Sequence, residues 1–306
     1  METILHTYSI VARDEKSGQF GAAVQSHWFN VGSLCPWVEA GVGAVATQSS
    51  VKVSYGPQGL KLMREGKNAQ EALHILLAED EGRENRQVAM VDAHGNVAVH
   101  TGTRCIAKAG HVAGSGFSVQ ANMMKNDTVW GAMAEAFQKT QGDLAERMLA
   151  ALQAAQSEGG DIRGKQSAAM LVADGIRNEE PYEHILLDLR VDDHPEPLVE
   201  LERLLHIQRA YEHMNKGDDF LVKDAMPEAM KEYSLGASLA PNIDELPFWQ
   251  AVTMAANGHL QEALPIFNSV FKMNKDWSEA LQRLPAAGFF PDDKEMLDRI
   301  LQELES

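Results

Sequence analysis

The chain has 306 residues, 44% of them hydrophobic and 23% charged, and carries a formal net charge of −17. Its length predicts one large folded core with a smaller second domain, and its acidity disfavours binding to nucleic acid or anionic membranes. It shows no signal-peptide pattern and no apolar run of about eighteen residues that could span a bilayer. With only two cysteines, Cys35 and Cys105, this composition favours a cytoplasmic protein.

The first two thirds of the chain predict a mixture of strands and helices. Alternating or continuously apolar runs bounded by turn residues predict strands, and 3.6-residue periodicity predicts two long helices, over 57–79 and 127–157. The predicted strands are 7–13, 19–26, 41–48, 86–92, 96–102, 166–174 and 184–191. Strands and helices come in blocks, which favours a layered α+β sandwich over an alternating, doubly wound sheet.

Thr7 opens the first predicted strand, and the glycine-rich segment GVGAVATQSS follows about forty residues later. A threonine hydroxyl needs a base to become a nucleophile, and a free α-amine on the same residue, with an unperturbed pKa of about 8, can serve. Six residues, METILH, precede Thr7. Because Glu2 is too large for methionine removal, exposure of Thr7 requires autoproteolysis or another protease. The alternative is a strand threonine without chemistry.

Eight short motifs in order carry a resemblance to a known family: TYSIVARD, GVGAVATQ, YGPQGL, RQV, HTG, AGH, GGDIRGKQSAA and LRVDDHPEP. Together they resemble the bacterial family labelled domain of unknown function 1028, over about residues 7–205. The resemblance implies an N-terminal-nucleophile hydrolase fold, a four-layer αββα sandwich whose nucleophile begins the first strand. The family has no settled substrate. Its members often begin with Met-Thr, a pattern from which this chain departs.

Three polar residues are candidates for assisting Thr7. Asn122 stands just before the second long helix, where its amide could donate to an oxyanion or simply serve a turn. Asp161 and Arg163 lie two residues apart in the glycine-rich loop GGDIRGKQ. This pair could orient the Thr7 amine or bind a substrate carboxylate through Arg163, or it could be a structural ion pair.

Further candidates for substrate binding lie where predicted strands end. Thr47 and Gln48 end the third strand, and Ser26 and His27 end the second. In a sandwich of this kind these side chains would open onto the same cleft as Thr7. The alternative is that they hydrogen-bond their own loops.

Neither a metal nor a nucleotide cofactor is predicted. His94, His100, Cys105 and His111 are close in sequence, but their spacing matches no familiar zinc pattern. No GxxxxGK[ST] or GxGxxG phosphate loop and no GxSxG elbow occurs.

From about residue 198 the sequence predicts amphipathic helices, which gives two domains, 1–200 and 201–306. Two segments align with a shift of 34 residues, pairing Ala229 with Ala263, Tyr233 with Phe267 and Leu239 with Met273. That period is typical of tetratricopeptide repeats. The helices could bind a protein partner in a groove, or they could pack against the first domain or a second copy of the chain.

The sequence therefore predicts an N-terminal-nucleophile amidohydrolase, oligomeric and without cofactor, followed by a tetratricopeptide-like domain. The expected reaction is hydrolysis of a small linear or cyclic amide through an acyl ester on Thr7. The alternative is a non-catalytic scaffold of the same fold that binds a protein or small ligand through its helical repeats.

Overall fold

The computed structural model describes residues 4–302 and divides the chain into two compact units, Met1–Arg203 and Leu204–Ser306. The first unit contains all the described strands and the second is helical, so an α+β fold is followed by a helical region. Helix α5, defined below, crosses the division.

Within residues 4–203, the first unit contains eleven strands, four complete α-helices and the start of α5. The strands are β1 (Ile4–Leu5), β2 (Thr7–Arg13), β3 (Phe20–Ser26), β4 (Pro36–Glu39), β5 (Gly43–Ser50), β6 (Arg86–Asp92), β7 (Val97–Thr101), β8 (Gly110–Gly114), β9 (Phe117–Ala121), β10 (Ser167–Ala173) and β11 (Ile185–Val191). The helices are α1 (Tyr55–Arg64), α2 (Ala69–Ala78), α3 (Val129–Lys139) and α4 (Leu144–Ser157).

The strands form two antiparallel sheets. The first has the order β1-β5-β6-β7, with β4 pairing to β5 beside β1, and the second has the order β11-β10-β3-β2-β9-β8. Strands β2 and β3 of the second sheet lie against β5 and β6 of the first. Helices α1 and α2 cover the outer face of the first sheet, and α3 and α4 cover the outer face of the second.

Side chains along β2 alternate between the two faces of its sheet. Val11 packs in the apolar cluster between the sheets, and Thr7 and Ser9 share its face because side chains repeat every second residue. Tyr8 points the other way, and its hydroxyl donates to Gln156 Oε1 of α4 at 3.0 Å. Thr7 therefore faces the space between the two sheets.

Both long helices predicted from the sequence are divided. A capping box at Asn68 and Glu71 starts α2, and a second one at Asp143 and Glu146 starts α4. Each satisfies backbone N–H groups that a continuous helix would have bonded internally, which favours a new helix start. Four strands, β1, β4, β8 and β9, were absent from the prediction.

The second unit contains the rest of α5 (Pro197–Val222), then α6 (Met226–Leu239), α7 (Glu245–Ala256), α8 (Leu260–Met273), α9 (Asp276–Ala287) and α10 (Lys294–Leu301). Helices α6 and α8 begin 34 residues apart in the sequence. The aligned residues Ala229 and Tyr233 of α6, and Ala263 and Phe267 of α8, are buried in one core. Within residues 4–302, no helix is long and apolar enough to cross a membrane.

Two helical glycines provide a matched test of packing in the first unit. A Cβ at Gly56 would lie 2.3 Å from the Trp37 ring, whereas one at exposed Gly131 would meet nothing within 4 Å. Gly131→Ala should stabilise the fold by about 0.5–1 kcal/mol by removing backbone freedom. Gly56→Ala should destabilise it by about 1–3 kcal/mol through overpacking. Urea denaturation measures both, and equal shifts would contradict the packing of α1 against Trp37.

Candidate functional site

The peptide bond between His6 and Thr7 lies at the centre of the candidate site. Thr7 is fully buried at the first position of β2, opposite Ser26 at the last position of β3. Thr7 Oγ1 donates a hydrogen bond to Ser26 Oγ at 3.1 Å, and Ser26 Oγ donates to the carbonyl oxygen of His6 at 2.6 Å. A chain of two hydrogen bonds thus joins the Thr7 hydroxyl to the preceding peptide carbonyl.

Arg163 provides a second donor to the same carbonyl. Its Nη2 lies 2.8 Å from the His6 carbonyl oxygen. Its guanidinium also forms a bidentate ion pair with Asp161, with 3.1 Å between Nε and Oδ1 and 2.7 Å between Nη2 and Oδ2. Asp161 is buried and also accepts the backbone N–H groups of His27 and Arg163. These bonds fix the carboxylate, and the carboxylate fixes the guanidinium.

A network of buried amides holds the other side of Thr7. Gln48 Nε2 lies 3.2 Å from the Thr7 carbonyl oxygen and 2.7 Å from Gln87 Oε1. Ser9 Oγ donates to Gln48 Oε1 at 2.6 Å and accepts from Gln120 Nε2 at 2.6 Å. Because strands of both sheets contribute, the network fixes the distance between the sheets at Thr7.

Asn122 positions the His6 ring. Gln87 Nε2 donates to two backbone carbonyls, so Gln87 Oε1 is the acceptor for Asn122 Nδ2 at 3.0 Å. Asn122 Oδ1 then faces His6 Nδ1 at 2.8 Å and requires a proton there. Burial lowers the pKa of His6, and the positive charge of Arg163 lowers it further, against the opposing effect of the Asn122 hydrogen bond. The ring therefore donates through Nδ1.

The structure brings together seven of the eight residues predicted for the site. Thr7, Ser26, Gln48, Asn122, Asp161, Arg163 and His27 are linked by the hydrogen bonds described above. His27 participates through its backbone N–H, since its ring lies near the Lys165 carbonyl at 3.4 Å. The amide of Asn122 is bonded to Gln87 and His6 and makes no bond to the His6 carbonyl.

Thr47 lies outside this group. It neighbours Gln48 on β5, and adjacent strand residues face opposite sides of a sheet. Its Oγ1 lies 3.4 Å from the Lys52 carbonyl oxygen, whereas Gln48 points into the space between the sheets.

Left-handed backbone conformations concentrate around the site. Ser49 has φ 70°, Lys108 has φ 56° and Met123 has φ 59°, although none is glycine. Ser49 pairs with Leu5 of β1, Met123 directly follows Asn122, and the Lys108 carbonyl accepts the N–H of Met124. Such conformations cost about 1–3 kcal/mol each and tend to persist where function requires a fixed geometry.

Four site residues were absent from the prediction: His6, Ser9, Gln87 and Gln120. Gln87 precedes Ala89 and Val91 on the inward face of β6, and Gln120 lies between Ser118 and Asn122 on that of β9. Polar residues alternating with apolar ones at the end of a buried strand are the sequence signal that could have identified Gln87 and Gln120.

This arrangement suits acyl transfer to a hydroxyl. A hydroxyl lies next to a carbonyl whose oxygen accepts bonds from Ser26 and from a positively charged guanidinium, and both donors would stabilise negative charge on that oxygen. Among residues 4–302, no group of three or more His, Cys, Asp and Glu side chains is placed to hold a metal ion.

Comparison with known proteins places the first unit in a family. The model of a family of unknown function, DUF1028, matches residues 7–201. A crystal structure of protein SPO2555 from Silicibacter pomeroyi, described with the same family model, is similar with a TM-score of 0.59 and 32% sequence identity, over 65% of this chain and 88% of that one. Among curated proteins, none matches the chain.

Gln48 and Gln25 provide a matched test of the buried network. Both are fully buried, but Gln25 makes no side-chain hydrogen bond among the described residues, whereas Gln48 bonds to Thr7, Ser9 and Gln87. Gln48→Leu should lower the free energy of unfolding by about 2–4 kcal/mol, because it leaves buried polar partners unsatisfied. Gln25→Leu should be nearly neutral or stabilising. Urea denaturation compares them, and a smaller loss for Gln48→Leu would contradict the network.

Proposed function

We propose that this chain, which belongs to the family of unknown function DUF1028, is an N-terminal-nucleophile amidohydrolase that frees Thr7 by cutting its own His6–Thr7 bond. The proposal rests on one observation. The His6 carbonyl oxygen accepts hydrogen bonds from Ser26 and Arg163, while the Thr7 hydroxyl bonds to the same Ser26.

Self-cleavage begins with attack of Thr7 Oγ1 on the His6 carbonyl carbon. As the carbon–oxygen bond forms, the Thr7 proton passes to Ser26 Oγ, and the Ser26 proton passes to the His6 oxygen. Arg163 stabilises the charge that develops on this oxygen. The carbonyl then re-forms as the His6–Thr7 C–N bond breaks, and the proton on the His6 oxygen passes to the nitrogen, which becomes the α-amine. Water hydrolyses the resulting ester and releases a peptide acid.

The matured residue repeats this chemistry on a substrate. The freed α-amine of Thr7 takes the proton of its own hydroxyl, the oxygen attacks the amide carbonyl, and the leaving amine receives the proton. Hydrolysis of the acyl ester by water releases the acid and restores Thr7. A small linear or cyclic amide is the substrate class proposed from the sequence.

The layered fold is compatible with this mechanism. Two facing sheets are each covered by a helix pair, an arrangement compatible with the αββα layering of N-terminal-nucleophile hydrolases, and Thr7 begins a central strand of the second sheet. The family match also begins at residue 7. Thr7 is fully buried in the uncut chain, so a substrate cannot reach its hydroxyl and activity would require that Thr7 become exposed.

The geometry divides the roles among the site residues. Ser26 and Arg163 donate to the carbonyl that is attacked, and Asp161 orients Arg163. Since the guanidinium bonds to a peptide carbonyl and to Asp161, we assign Arg163 to oxyanion stabilisation in preference to the recognition of a substrate carboxylate. Gln48 holds the Thr7 carbonyl, and Asn122 positions the residue before the scissile bond.

Substitution of Thr7 tests the proposal. Intact mass spectrometry of the purified natural chain should show loss of the six residues that precede Thr7, and Thr7→Ser should also lose them because serine retains the hydroxyl. Thr7→Ala should keep them and lack amide hydrolase activity. Cleavage of the Thr7→Ala chain would show that another protease acts, and a natural chain that keeps all six residues would contradict self-cleavage.

A further inference from the structure

Residues 5 and 6 occupy defined places that their release would vacate. Leu5 is fully buried in the apolar cluster between the sheets, and it pairs antiparallel with Ser49 of β5. His6 is 6% exposed and donates to Asn122 Oδ1. The segment before the scissile bond is therefore bound as a short strand with two specific side-chain contacts.

The same places must receive the acyl half of a substrate. Self-cleavage transfers the acyl group of His6 to Thr7, so the His6 carbonyl lies where any carbonyl must lie to be attacked by Thr7 and stabilised by Arg163. Whatever precedes that carbonyl in a substrate follows the path of His6 and Leu5. Leu5 and His6, which precede the His6–Thr7 bond, thus mark where the acyl side of a substrate would bind.

Backbone pairing favours a peptide on this path. Release of β1 would leave Ser49 and Ser50 of β5 without their partners Leu5 and Ile4. An open strand edge binds an extended peptide by main-chain hydrogen bonds. Strand β4 covers Gly43–Ala46 of the same edge, which limits the open part to a short segment.

The side-chain contacts define what the peptide should carry. The Leu5 position lies among buried apolar residues such as Val51, so it suits an aliphatic side chain. The His6 position meets the Asn122 oxygen, whose amide is fixed by Gln87, so it suits a hydrogen-bond donor. The charges that face His6 are the opposite charges of the Asp161–Arg163 ion pair.

We propose that the matured chain cleaves short peptides after a hydrogen-bond-donating residue that follows an aliphatic one, using the places vacated by His6 and Leu5. This inference rests on the proposed function and narrows its substrate from an amide in general to a peptidyl amide. Main-chain pairing to Ser49 and Ser50, the apolar surroundings of the Leu5 position and the Asn122 oxygen would each contribute to recognition.

Three fluorogenic peptides test the inference on the matured full-length chain, after its mass shows that Thr7 is the first residue. They are acetyl-Ile-Leu-His, acetyl-Ile-Asp-His and acetyl-Ile-Leu-Asp, each linked through an amide to aminomethylcoumarin. The first should be hydrolysed with a kcat/KM at least about tenfold above that of either altered peptide. Aspartate in place of leucine loses the burial of an aliphatic side chain and buries a charge, and aspartate in place of histidine also buries a charge.

The outcomes separate the two proposals. A mass that retains the residues before Thr7 overturns the proposed function and this inference with it. A matured chain that hydrolyses the three peptides at equal rates, or hydrolyses only amides without a peptide, overturns this inference alone.

A variant of the matured chain tests the Asn122 contact that we expect to recognise the residue at the His6 position. Asn122→Leu should abolish the preference for acetyl-Ile-Leu-His over acetyl-Ile-Leu-Leu coumarin amides while keeping the preference for Leu over Asp at the preceding position. Retention of the histidine preference would overturn the role of Asn122. The comparison of peptides on the unaltered chain stays decisive if the variant fails to fold.

Discussion

The carbonyl oxygen of His6 accepts one hydrogen bond from Ser26 and another from Arg163, in an interior where Thr7 is fully shielded from solvent. An ordinary buried peptide carbonyl needs one partner, and here the second is a charged guanidinium held by Asp161. In a water-poor site such donors act strongly on a developing negative charge and need little reorganisation. The reactivity that we assign to Thr7 depends on this double contact.

The surrounding structure keeps that contact in place. Gln48, reaching across from β5, holds the Thr7 carbonyl, and the loop that carries Asp161 brings Arg163 to His6. Buried polar networks are costly unless every member is paired, and this one uses donors and acceptors from both sheets. The two-sheet architecture thus determines where the Thr7 hydroxyl lies relative to the carbonyl before it.

The sequence predicted the α+β class, the family, and the start of β2 at Thr7, because these rest on local patterns and on motifs that recur in order. It also singled out Asp161 and Arg163 from their spacing in a glycine-rich loop. The contact of Gln87 with Gln48 and the pairing of β1 with β5 could not be predicted, because each joins segments distant in sequence whose register depends on how the sheets face each other. The helix divisions could have been predicted, since both capping boxes are local signals.

Trapping of the acyl ester tests the central claim most directly. An Arg163→Met chain retains Ser26 as a donor and should cleave about 10²–10³-fold more slowly, which allows the uncut form to be purified. Hydroxylamine added to this form should release the segment before Thr7 as its hydroxamate, because a small nucleophile attacks an ester far more readily than an amide. Mass spectrometry identifies the product. Release of only the free acid, or equal release from a chain that also carries Thr7→Ala, would contradict acyl transfer to Thr7.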